Sequence, residues 1–142
     1  MNKILVGLDG SKNQQHVLAA AIDMAKRLDA KLVLFRAVGL PAELPSHAYL
    51  MKPAEVTRAL ENDARADLTA AAAPLGSIVG DLHIAVGTPW QAICRAAKEY
   101  GVDLILIGSH GYDILDRVVG TTAAKVVNHA DRSVLVVRPP HD

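Results

Sequence analysis

Four short stretches of this chain consist wholly of Val, Ile, Leu or Phe, with no polar alternation. They are Ile4-Leu5-Val6, Leu32-Val33-Leu34-Phe35, Leu104-Ile105-Leu106-Ile107 and Val134-Leu135-Val136-Val137. Unbroken β-branched and aliphatic runs of this length suit strands buried on both faces, the signature of a parallel sheet. Between them lie stretches with helical spacing, such as Val17, Ala21, Met24 and Leu28. A further segment, Gly80 to Val86, alternates Leu82, Ile84 and Val86 with Asp81, His83 and Ala85, and reads as another strand. The order is therefore β-α-β-α-β-α-β-α-β. Right-handed crossovers then give an α/β fold, a doubly wound parallel sheet with helices on both faces.

The strand limits are expected at Lys3–Leu8, Lys31–Val38, Gly80–Val86, Leu104–Ile107 and Ser133–Val137. Ser11 with Gln14, and Thr88 with Gln91, have the spacing of capping boxes, and Pro53 and Pro89 sit where proline opens a helix. The second helix is expected to bury Val56, Leu60, Ala64, Leu68 and Leu75 and to end at Pro74 and Gly76. From Gly39 to Lys52 runs a long connection holding Pro41 and Pro45, and long loops inside compact domains commonly carry function. The whole chain, 1–142, is expected to be one domain.

Composition narrows the function. Fifteen basic residues balance fifteen acidic ones, which removes the electrostatic case for nucleic acid or an anionic membrane as partner. No apolar run approaches a membrane span, and the apolar part of the N-terminus is too short for a signal peptide. Cys94 is the one cysteine, so no internal disulfide forms and a cytoplasmic location is expected. Cys94 and Trp90 are read as packing residues. The histidines are scattered, with no pair at zinc-site spacing.

The densest signal lies after the fourth strand. Gly108, Ser109, His110 and Gly111 follow it, then a spacer carrying Asp113, Asp116 and Arg117, then Gly120-Thr121-Thr122 opening a helix. Glycine allows close backbone approach, Thr121 suits a helix N-cap, and the free N–H groups of a helix N-terminus favour anions. The pattern reads as strand, phosphate loop, helix. A tight turn and helix cap without a ligand is the competing reading. Asp9 ends the first strand, where it either faces a ligand or serves as the turn residue of Asp9-Gly10. His110 and the charged spacer residues also read as a solvated loop.

Other nucleotide and hydrolase motifs are missing. The chain has no P-loop sequence, no complete G-x-G-x-x-G fingerprint and no G-x-S-x-G elbow. The acidic cluster of a receiver domain and the Ser/Thr-rich loop of a flavodoxin are also absent.

Gly108-x-x-Gly111 followed by Gly120-Thr121, together with Val6-Gly7-Leu8-Asp9-Gly10-Ser11 near the start, resembles the universal stress protein family over nearly the whole chain. The family pattern usually has nine residues between the second and third glycines; here there are eight. The resemblance implies an adenine nucleotide alpha hydrolase-like sheet of five strands in order 3-2-1-4-5. It also implies an ATP site, with Mg²⁺ bridging phosphates and water. Asp9 would lie beside the nucleotide and Val38 would offer backbone groups to adenine. Gly108, Ser109, His110, Gly111, Gly120, Thr121 and Thr122 would surround ribose and phosphates. The implied function is regulatory stress response, with an unknown protein partner and at most slow hydrolysis or autophosphorylation. No general base or metal cage is evident. The alternative is a relative of the same fold that acts as a dimeric interaction protein without nucleotide. A homodimer through Ser133–Val137 is expected on either reading, since an uncovered apolar edge strand recruits partners.

Overall fold

A computed structural model describes residues 2–39, 52–109 and 120–139. The elements are β1 (Lys3–Gly7), α1 (Gln14–Leu28), β2 (Lys31–Val38), α2 (Pro53–Ala72), β3 (Val79–Val86), α3 (Pro89–Glu99), β4 (Leu104–Gly108), α4 (Thr121–His129) and β5 (Ser133–Val137). A 3₁₀ turn, Ala73–Ile78, links α2 to β3. All strand pairs are parallel, in the order β3-β2-β1-β4-β5. The expected architecture and strand order are therefore observed.

The apolar runs serve two cores because successive strand side chains point to opposite faces. Ile4, Val6, Leu32, Leu34, Leu104 and Leu106 face one way, against Val17, Ala21 and Ala25 of α1 and Leu68 of α2. Leu5, Val33, Phe35, Ile105 and Ile107 face the other, against Ile93, Ala96 and Ala97 of α3 and Ala123 and Val126 of α4. Ile4, Leu5, Leu32, Leu34, Ile105 and Leu106 are fully buried. This two-sided burial is why no polar residue interrupts the central strands.

Helix starts depart from expectation in detail. The Ser11–Gln14 box does not form. The N-cap of α1 is Asn13, without a side-chain cap bond. Ser11 Oγ instead accepts from the Asn13 N–H at 3.3 Å, and Gln14 Oε1 accepts from the Gly10 N–H at 3.0 Å. These local bonds hold the turn and move the helix start to Gln14. Thr88 is the N-cap of α3 and Pro89 its first residue, as expected, but no side-chain cap bond joins Thr88. In α2, Pro53 opens the helix as expected, Val56, Ala64 and Leu68 are buried and Leu60 is half-buried; the α-helix ends at Ala72, before Pro74 and Gly76, so the half-buried Leu75 lies in the 3₁₀ turn.

Two charged side chains fasten the end of the sheet opposite the strands' carboxyl termini. Arg132 Nη1 donates to the carbonyls of Ala97 at 2.6 Å and Val102 at 2.8 Å, closing the C-terminal end of α3. Asp103 Oδ2 accepts from the N–H groups of Asn2 at 2.6 Å and Lys3 at 3.1 Å, anchoring the start of β1. Those two backbone donors hold the Asp103 carboxyl below its ordinary value of 3.8. A carboxyl with a lower pKa folded than unfolded stabilises the fold above its unfolded pKa, and the contribution is lost as pH falls through the folded value. Asp103→Asn is therefore expected to flatten the acid limb of stability. Between about pH 4 and pH 2, the urea midpoint of the unsubstituted protein should drop more than that of the variant. Parallel curves would show that Asp103 contributes nothing to acid stability.

Candidate functional site

The site sits where the strand order reverses, between β1 and β4. β1 pairs with β2 on one side and β4 on the other, so the connections leaving β1 and β4 diverge and open a crevice past their carboxyl ends. A cavity of about 380 Å³ occupies it, within the size range of small-ligand pockets. Gly7, Leu8 and Asp9 come from the end of β1, Phe35 and Ala37 from β2, and Ile107 and Gly108 from β4. Pro89 and Ile93 of α3 close one side. Gly120, Thr121, Thr122 and Ala123 form the α4 end.

Each wall follows from local sequence. Gly7 leaves room that a side chain would fill: a Cβ there would lie 2.9 Å from Ile107 Cγ2. Leu8 is still tied to the sheet, its N–H donating to the Phe35 carbonyl at 2.8 Å, and its side chain is buried in the α1 core. Alternation therefore turns Asp9 toward the cavity. Asp9 Oδ1 accepts from the Ser11 N–H at 2.9 Å, so the carboxylate is both turn residue and cavity wall. The two readings of Asp9 are thus compatible.

The α4 end presents a helix N-terminus, a feature that suits an anion. The N-cap is Gly120, and Thr121 is the first helical residue, one position later than the cap role expected from sequence. Gly120 is extended (φ −63°, ψ 163°), and its carbonyl accepts from the Ala124 N–H at 3.0 Å to start the helix. The Gly120 N–H donates to the Ser109 carbonyl at 2.7 Å. The N–H groups of Thr121, Thr122 and Ala123 have no partner among the described residues, as helix geometry requires of a first turn without a side-chain cap. These three donors, with the exposed Thr121 and Thr122, present the positive end of the helix to the cavity.

The remaining candidate residues take different places. Gly108 lines the cavity. Ser109 is 1% exposed and does not line it; its N–H donates to the Val137 carbonyl at 2.9 Å, and its Oγ has no partner among the described residues. Ser109 therefore ties the β4 loop to β5 and Gly120. Val38 lies outside the lining. Its carbonyl accepts from the Gly87 N–H at 2.9 Å, and strand alternation gives the cavity wall to Ala37 instead. His110 and Gly111 lie outside the described residues, as do Asp113, Asp116, Arg117 and residues 40–51.

The apolar walls, Phe35, Ala37, Pro89, Ile93 and Ile107, were not singled out from sequence. A signal existed. Phe35, Ala37, Ile105 and Ile107 share their strand parity with the cavity face, as Gly7 and Asp9 do. Asp9 is the one ionisable side chain among the described lining residues. Beside the cavity, the Trp90 ring lies 4.5 Å from His129, with Lys125 Nζ 5.8 Å from its centroid. Trp90 thus packs between α3 and α4. Cys94 is half-buried, and its thiol is pushed up by burial first and by the Asp131 charge second, with Lys98 opposing. The cavity is suited to a flat apolar group against its walls and an anion at α4.

Residues 1–138 match the model of the universal stress protein family. A Staphylococcus haemolyticus chain that bears the universal stress protein name is 31% identical over 137 residues, covering 95% of this chain and 83% of that one. Among solved structures, the universal stress protein UspA from Lactobacillus plantarum superposes with a TM-score of 0.80 at 27% identity, covering 96% of this chain and 97% of its own. A universal stress protein solved in complex with cAMP superposes with a TM-score of 0.63 at 26% identity, covering 98% of each chain. This chain belongs to the universal stress protein family.

Proposed function

We propose that this protein is a cytoplasmic regulatory module that binds an adenine nucleotide, ATP, in the crevice between β1 and β4. The observation that carries the reading is the pairing of an apolar slot with the three N–H groups of the α4 first turn, which have no partner among the described residues. The base would lie against Phe35, Ala37 and Ile93, and the phosphates would accept from Thr121, Thr122 and Ala123. The Thr121 and Thr122 hydroxyls, Gly108 and the Gly120 turn complete that cradle. Asp9 would accept from the ligand with the carboxylate oxygen that the Ser11 N–H leaves over. The family relative solved with cAMP supports a nucleotide at this fold.

Among the described residues, no group of three or more His, Cys, Asp or Glu side chains could hold a metal ion. A Mg²⁺ would therefore arrive on the phosphates and keep its waters, as this ion does at nucleotide sites. The described lining offers no nucleophile beside a base, so occupancy rather than turnover would be the output. His110 and Gly111 keep their proposed place in the phosphate loop.

The same reading includes a homodimer. β5 is an edge strand, paired with β4 alone, and Val134 to Val137 are only half-buried. Such an edge pairs with a second copy and offers further apolar surface.

Two measurements test these statements. Isothermal titration of nucleotide-free protein with Mg·ATP is expected to show saturable binding. Thr122→Glu should weaken it at least about tenfold by placing a carboxylate over the same N–H groups. The same substitution should leave stability equal or raised by about 0.3–1 kcal/mol, because a negative charge suits a helix N-terminus. No heat of binding to the unsubstituted protein would leave the nucleotide-free interaction protein as the function. Sedimentation at micromolar concentration should show a dimer, and monomer alone would refute the β5 interface.

A further inference from the structure

We infer that Arg36, backed by Asp67, is a positioning residue that holds the Asp9 turn in the cavity wall from behind. Arg36 precedes Ala37 on β2, so its side chain leaves the opposite face of the sheet from the cavity. There it reaches the β1–α1 turn. The guanidinium lies against Gly10: a Cβ at that glycine would meet Arg36 Nη2 at 2.8 Å and Cζ and Nη1 at 3.0 Å. Gly10 has φ +77°, a left-handed conformation that also favours glycine. Conformation and contact thus require the same residue. Arg36 Nη1 pairs with Asp67 Oδ2 of α2 at 3.2 Å; the Arg36 side chain is 22% exposed and that of Asp67 68%.

The turn's other bonds are local. The Gly10 and Ser11 N–H groups donate to the exposed side chains of Gln14 (Oε1) and Asp9 (Oδ1), and Ser11 accepts from the Asn13 N–H through Oγ and from the Gln14 N–H through its carbonyl. Neither Gly10 nor Ser11 belongs to a strand. A flat guanidinium pressed on the glycine face supplies rigidity that these bonds lack. Arginine suits this role, because its planar group stacks while its edge binds carboxylate, whereas lysine offers a point charge. An exposed ion pair of this kind contributes little global stability, so its effect belongs to the turn.

The consequence for ligand binding rests on the nucleotide reading; the positioning itself does not. The test is ¹⁵N relaxation on the full chain, comparing unsubstituted protein with Arg36→Met, Arg36→Lys and Asp67→Asn. For Arg36→Met, order parameters of the Gly10 and Ser11 amides are expected to fall from about 0.85 toward about 0.6, while those of Leu5 and Ile105 stay unchanged. Arg36→Lys should not restore them, and Asp67→Asn should lie between. Mg·ATP affinity should weaken about tenfold in Arg36→Met. Unchanged order parameters at Gly10 and Ser11, or an equal loss across β1 and β4, would overturn the inference. Should Arg36→Met fail to fold, Arg36→Lys decides it by the same criterion. A mobile turn in a protein that never bound ATP would uphold the positioning and reject the nucleotide reading.

Discussion

The polar groups at the two ends of the central strands are arranged by the parallel pairing of β1 with β4. The pairing joins Ile4 to Leu104 and Val6 to Leu106, and both strands are buried on both faces. A sheet covered by helices on each side has no lateral surface for a ligand. Its chemistry is pushed to the strand ends, where backbone groups run out of partners. At the carboxyl end the connections diverge, and the cavity opens there. At the opposite end the same strands need closing, and Asp103 and Arg132 do so with short bonds to main chain.

The cavity inherits its polarity from this arrangement. Strand alternation delivers Gly7, Asp9, Phe35, Ala37 and Ile107 to one face, and α4 arrives end-on. One end of the cavity is a helix N-terminus whose donors have no partner among the described residues, another is a carboxylate, and the space between is apolar. The Gly120 N–H, bonded to Ser109, fixes where α4 begins and keeps its first turn aimed inward. Membership of the universal stress protein family gives the fold a known setting. What fills the cavity is a question for this chain's own residues.

The sheet was legible because burial on both faces leaves only apolar residues in the central strands. β2 and β5 match their expected limits, and β1, β3 and β4 differ by one residue at one end. Helix caps were less legible. Ser11 and Gln14 have the right spacing for a box, yet each bonds a different backbone N–H, and sequence spacing cannot rank competing local bonds. Thr121 looked like a cap because threonine favours that position, but Gly120 takes it so that its N–H can meet Ser109. Within the site, Asp9, Gly108, Gly120, Thr121 and Thr122 line the cavity, whereas Val38 and Ser109 lie outside the lining. The apolar walls went unremarked because a cavity-facing Phe or Ile resembles a core residue until the helices are placed.

The most direct measurement is an amide chemical-shift map of ¹⁵N-labelled, nucleotide-free protein titrated with Mg·ATP. The expected result is a saturable set of shifts centred on Gly7 to Asp9, Gly108 and Thr121 to Ala123, with Asn2, Asp103 and Arg132 at the far end unmoved. Saturable shifts confined to other surfaces, or none at all, would contradict a ligand site at the β1–β4 crevice.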